Sequence, residues 1–320
     1  MTVPDLPQDY YCFVELQHQP PPQKKWPPIG SSEWNRFFNE QGELQVSQRT
    51  VMHEIFTKGL HPSVRPAGWE FLMNFHPWKF YKALNETVVQ NPQVMTNKEV
   101  VLTRSSINTD VIRTFVVPGK PLCEKKRSEL QRVLIATYIY DRVAGYQQGL
   151  HEIGMVLQSV MKTECDVFWA LRSLLQKTDY TSIIDVGVMK SIKLLEKLIM
   201  FLDPKFHTFL YANCKGDLFF LFNWFVLLFL RQMKNNTEVL RLWEVLMTRK
   251  PCPRFHVFIA LAILQNRKKH LLSLPQDESS IITQACNKIN ELEAEDLIST
   301  ACNAYSAFQK ANVSIGIFIQ

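Results

Sequence analysis

Through most of this chain, from Ser128 to Phe308, apolar residues return every three or four positions, and no apolar–polar alternation of any length stands out. That spacing lines the apolar side chains along one stripe of a helix, which must be buried against other stripes. Leu130, Val133, Leu134 and Tyr138 make one stripe; Val188, Ile192, Leu195, Ile199 and Leu202 make another, closed by Asp203-Pro204. Val239, Leu240, Trp243 and Leu246 form a third, Phe255 to Leu264 reads as a buried helix, and amphipathic helices lie near Ser280 to Leu292 and Ala294 to Phe308. Glycine, second only to proline in weakening helices, occurs 11 times in 320 residues. The fold class these features predict is all-α.

Elsewhere the chain is punctuated. Seven of its 17 prolines fall in the first 28 residues, so a proline-rich flexible arm is expected over residues 1–30. Ser31 or Ser32 is placed to cap a helix carrying Trp34, Phe37 and Phe38, and residues 31–58 read as lead-in helices. Gly59 and Pro62 mark a turn, with a helix starting near Ser63; Asn85 to Thr103 reads as a loop or weak helix. Leu218 to Leu230 is apolar except for Asn223, shorter than the roughly 20 residues a bilayer span needs. A central buried helix is expected there, and no transmembrane segment.

Several chemistries are excluded by what the sequence lacks. There is no Gly-x-x-x-x-Gly-Lys-Ser/Thr loop, no Gly-x-Ser-x-Gly elbow and no His-Glu-x-x-His pair; His151-Glu152 has no second histidine. Cys252 and His256 could form a ligand pair, but no second pair at zinc spacing accompanies them, so no metal is expected. The net charge of +6 is mild, and basic residues are not interleaved with aromatics, so no nucleic-acid partner is expected. Seven scattered cysteines and the absence of a secretory signal suggest reduced thiols and a cytoplasmic protein.

Two short stretches invite a chemical reading. In Ile107-x-x-Asp110-x-x-Arg113 the three residues share a helical face, so Ile107 can anchor the turn while Asp110 steadies the guanidinium. Pro118-Gly119 should end the helix near Arg113. The same spacing also describes an ordinary exposed ion pair. In Gly145-Tyr146-Gln147-Gln148-Gly149-Leu150, glycines bracket a glutamine at a joint between helices. Gln148 can equally be a loop or capping residue, and Tyr146 a packing aromatic that fixes the loop. Together, an arginine and a glutamine on constrained turns suit phosphoryl transfer to water. The guanidinium neutralises charge developing between the β- and γ-phosphates, and the carboxamide holds the attacking water.

These residues, Ile107-x-x-Asp110-x-x-Arg113 followed by Tyr146-x-Gln148-Gly149, resemble the paired signature of the TBC-domain Rab GTPase-activating proteins. Gly59-Leu60 with Val64-Arg65 and Trp69, then Asp203-Pro204, Phe222 with Trp224, Leu228-Phe229 with Arg231, and Arg241-Leu242-Trp243-Glu244 continue the resemblance in order. Family members without an accessory domain are the most similar. The resemblance implies a TBC domain over 59–272, with C-terminal helices of 273–320 packed on it. It implies that Arg113 is an arginine finger and Gln148 a glutamine finger, that Asp110 orients Arg113, and that Tyr146 and Gly149 shape the Gln148 loop. Arg65, Trp69, Trp224 and Arg231 would hold the fold. It also implies a Rab-family GTPase in its GTP state as partner. GTP and Mg2+ are then carried by that partner, with no cofactor of the chain's own and membrane contact only through the Rab. The function implied is activation of the Rab's own hydrolysis in vesicle-mediated and intracellular protein transport. The alternative is a scaffold of the same fold that binds partners without accelerating hydrolysis. The sequence departs from the family at Leu150 for methionine, His151-Glu152 for Asn-Asp/Glu, and Leu230-Arg231-Gln232 for Lys-Arg-Glu.

Overall fold

A computed structural model describes residues 26–74, 96–117, 120–141, 145–177, 184–214, 216–275, 279–288 and 291–310. The arm up to Lys25, residues 85–95 and Pro118-Gly119 lie outside them. The chain forms two compact units, Trp26–Gly187 and the part from Val188 onward.

The first unit contains α1 (Ser31–Asn35), α2 (Gln48–Lys58), α3 (Arg65–Met73), α4 (Lys98–Ile112), the strands β1 (Phe115–Val117) and β2 (Lys120–Pro121), α5 (Glu124–Tyr140), α6 (Leu150–Val160) and α7 (Glu164–Lys177). Helix α5 is the hub, packed against α4, α6 and α7 through a stripe that includes the buried Leu130, Val133, Leu134 and Tyr138. Gly154 lets α6 approach it, since a Cβ there would lie 2.6 Å from Leu130 Cδ1. Arg132 clasps Glu164 with two hydrogen bonds of 3.0 and 2.7 Å. Trp69 is fully buried, and Arg65 Nη2 donates to the Leu60 carbonyl at 2.7 Å.

Three local expectations are corrected or refined. The cap of α1 is Gly30, not a serine, because Ile29 pairs with Leu60 and fixes the chain one residue earlier; Ser31 is already helical. Of the two readings of Asn85 to Thr103, loop or weak helix, the described part is helix from Lys98, where Asn97 Oδ1 accepts the Glu99 and Val100 amides at 3.0 and 3.4 Å. A small antiparallel ladder, β1 with β2, follows Arg113. Strands of three and two residues are too short to show a period-two pattern.

The second unit holds α8 (Ile184–Leu202) from Val188 on, then α9 (Pro204–Asn213), α10 (Phe222–Val226), α11 (Asn236–Thr248), α12 (Phe255–Leu272), α13 (Ser279–Cys286) and α14 (Ala294–Lys310). Helix α12 is buried through most of its length, and α14 and α13 pack on it. Leu218 to Leu230 is not one helix. It folds as a 3-10 turn (Phe219–Leu221), the short α10, and a corner at Leu228 and Phe229, whose φ angles are 49° and 60°. An all-apolar run has no phase, so periodicity says it is buried but not that it is straight. The left-handed corner is strained for residues with a Cβ. It is held where Phe229 N–H donates to the Trp224 carbonyl at 2.8 Å and the Trp243 indole donates to the Leu228 carbonyl at 3.0 Å. Trp224 is fully buried and donates to Asn287 Oδ1 at 2.8 Å, whereas Arg231 is exposed. Helix α13 stops at Cys286, short of Leu292, because Arg267 takes the carbonyls of Cys286 and Lys288. Leu292 pairs instead beside Met233.

His256, of the Cys252–His256 pair, is buried in this core. Its Nε2 lies 2.9 Å from Ser191 Oγ, and burial, with Arg254 assisting, lowers its pKa from 6.5 to about 3. Between those values the unfolded chain binds a proton that the native chain does not. Stability from this group is therefore complete above pH 6.5 and is lost as pH falls toward 3. The expected loss is about 2 kcal/mol from pH 7 to pH 5, read from urea midpoints, and His256→Gln should abolish that component. Equal pH slopes for the two proteins would refute it.

Candidate functional site

Arg113 is the C-cap of α4. A cation at that end meets the partial negative charge of the helix C-terminus. Its Nη2 donates to Asp110 Oδ1 at 2.6 Å and its Nε to the Thr109 carbonyl at 3.2 Å, while 61% of the side chain is exposed. Asp110 is the opposite case, with only 7% of its side chain exposed. A carboxylate this buried needs compensation from several sides. Its second oxygen receives the Tyr146 hydroxyl at 2.8 Å, and the Asp110 carbonyl receives Thr114 Oγ1 at 2.9 Å. Ile107 is fully buried under the same turn.

Tyr146 comes from the α5–α6 loop, 36 residues away in the chain, so one carboxylate ties two loops together. Burial, reinforced by Asp110, pushes the tyrosine pKa well above its ordinary value of 10. The hydroxyl therefore stays protonated and remains a donor. Two residues on, the Leu150 amide donates to the Gln147 carbonyl at 3.1 Å, closing a four-residue turn with Gln148 and Gly149 at its corners. Gly149 has φ of +108°, a conformation that side chains rarely adopt, and serves as the N-cap of α6. Gln148 sits exposed on this turn, and its carboxamide makes no hydrogen bond within the described residues.

Four of the five residues singled out from the sequence, Asp110, Arg113, Tyr146 and Gly149, thus fall in one connected group. Asp110, Tyr146 and Gly149 supply its inner side; Arg113 and Gln148 face outward. His151 is the residue the motifs missed. It is 8% exposed, and its Nδ1 lies 3.3 Å from the Gly149 amide, 3.4 Å from the Tyr146 oxygen and 3.7 Å from Asp110 Oδ2. Its signal in the sequence was its place two residues after a glycine that opens a helix. Chemically, the arrangement offers a planar cation and a neutral donor–acceptor, both solvent-facing and both braced from behind. Among the described residues no nucleophile with a lowered pKa stands beside them, and the thiols of Cys214, Cys252, Cys286 and Cys302 are all raised by burial.

Comparison with known proteins identifies the family of the domain that carries these residues. The Rab-GTPase-TBC domain pattern matches residues 62–272. Human TBC1 domain family member 21 is 35% identical over 309 residues, covering 91% of each chain. The GTPase-activating protein gyp7 of Schizosaccharomyces pombe is 26% identical over 304 residues, covering 85% of this chain and 40% of its own longer length. In fold, the crystal structure of the Ypt/Rab-GAP domain of Gyp1p superposes with a TM-score of 0.72 at 18% identity, covering 87% of this chain and 97% of that domain. The chain belongs to the Rab-GTPase-TBC domain family.

Proposed function

We propose that the protein is a GTPase-activating protein that completes the active site of a GTP-loaded Rab-family GTPase. The observation that carries this reading is the shared brace: a buried Asp110 holds the exposed Arg113 directly and the Gln148 turn through Tyr146. Arg113 acts as the arginine finger and cancels charge on the β–γ bridging and γ-phosphate oxygens. Gln148 acts as the glutamine finger, accepting from and donating to the attacking water. Nucleotide and Mg2+ belong to the partner, so the chain itself needs no cofactor. Asp110, Tyr146 and Gly149 position the fingers and do not touch the reacting atoms.

Among the described residues no helix is long and apolar enough to cross a membrane. Contact with vesicle membranes then comes through the lipid-anchored partner, with the protein otherwise in the cytoplasm. Within the family we assign it to the short, testis-enriched male germ cell type. The 35% identity to TBC1 domain family member 21, over 91% of each chain, supports a place near that relative. Transcript levels across tissues test the tissue assignment, and uniform expression would remove it.

Phosphate release from a panel of GTP-loaded Rabs tests the activity. At least one Rab should be accelerated, and Gln148→Ala should remove about a hundredfold of that acceleration without altering the far-UV spectrum. If the unaltered protein binds Rabs but accelerates none, the scaffold reading replaces this one.

A further inference from the structure

His151 lies outside both motifs, yet it is the buried side chain nearest the joint between them. It is the second residue of α6, and its ring turns back over the helix start. The Gly149 amide at that start is among those with no partner inside the helix, and Gly149 has no side chain to cap them. His151 Nδ1 stands 3.3 Å from this amide. In a capping box, a side chain from the first turn reaches back to the N-cap amide; here an imidazole does so. Because the amide N–H donates, Nδ1 must carry the lone pair and Nε2 the proton, on the side of Glu152 Oε1 at 3.9 Å. The same Nδ1 lies 3.4 Å from the Tyr146 oxygen, whose one proton goes to Asp110, so the Gly149 amide is the donor it takes.

We infer that His151 is a positioning residue that fixes the Gln148 turn by accepting the Gly149 amide, an inference that rests on Gln148 being a finger in the proposed function. Leucine at 151 would fill similar space and offer no acceptor. Asparagine would present Oδ1 at the same remove from the backbone as Nδ1, so it should restore the hold.

Two measurements on the full chain test this. The first needs no GTPase: hydrogen–deuterium exchange of the segment containing Gly149. His151→Leu should speed exchange there about tenfold or more relative to the unaltered protein, while His151→Asn keeps the protection. The second is stimulated GTP hydrolysis by a responsive Rab. His151→Leu should lower kcat about tenfold with KM for the GTPase nearly unchanged, and His151→Asn should recover most of it. Should the leucine variant not fold, His151→Ala takes its place in the comparison with asparagine. Unchanged exchange overturns the inference, and so does faster exchange with an undiminished kcat. Altered exchange in a protein that accelerates no Rab would sink the finger reading while leaving the hold of His151 on the turn established.

Discussion

Arg113→Lys is expected to lower GTP hydrolysis stimulated by this protein by about a thousandfold, equivalent to about 4 kcal/mol of transition-state stabilisation. Lysine keeps the charge and loses the fork. Its ammonium is a single point that cannot contact the bridging and γ-phosphate oxygens together, nor meet Asp110 in the same planar geometry. The loss should fall on kcat, with KM for the GTP-loaded partner within a few-fold, because the charge builds only as the γ-phosphate departs. Stability should change little, since lysine keeps a positive charge beside the buried Asp110 and 61% of the Arg113 side chain is in solvent. Single-turnover phosphate release at saturating protein checks this. A lysine variant retaining more than a third of the rate would show that Arg113 is not the finger.

The second large effect lies behind the site. Arg172 of α7 has 4% of its side chain exposed, donates through Nη1 to Asp141 Oδ2 at 2.9 Å, and lies 4.7 Å from the Tyr140 ring. Asp141 is the C-cap of α5, at the start of the segment that leads to Tyr146 and Gln148. Asp141→Ala would strand the guanidinium in the interior, at a cost of about 3 kcal/mol. That is the low end of the range for buried pairs, because Asp141 keeps 29% of its side chain in water. Replacing both partners, Asp141→Ala with Arg172→Met, should cost less than Asp141→Ala alone, because no unpaired charge remains. Denaturant unfolding of the two proteins decides it. Equal losses would mean that packing, rather than charge, dominates at this position.

The helical class was legible because amphipathic stripes carry a phase, and α5, α8, α11 and α14 each showed one. The path of Leu218 to Leu230 was not, because uniform hydrophobicity records burial and hides direction. The left-handed corner at Leu228 and Phe229 depends on Trp243, a donor far along the chain. The same division holds at the site. Asp110 beside Arg113 is a local relation and could be read from three-residue spacing. The hydrogen bond from Tyr146 to Asp110 spans 36 positions, and nothing in either segment announces it. His151 was visible in the sequence as a departure from the family's asparagine two residues after Gly149, and its task became readable once the Gly149 amide was placed beside it.

Asp110 serving two loops has an energetic corollary. Were Arg113 to swing outward, it would leave behind a carboxylate that is 7% exposed, with a tyrosine hydroxyl on its second oxygen. The arginine is thus on a leash. Only an anion stronger than that carboxylate, such as a triphosphate in a dry interface, can draw it out, and an incidental protein surface cannot.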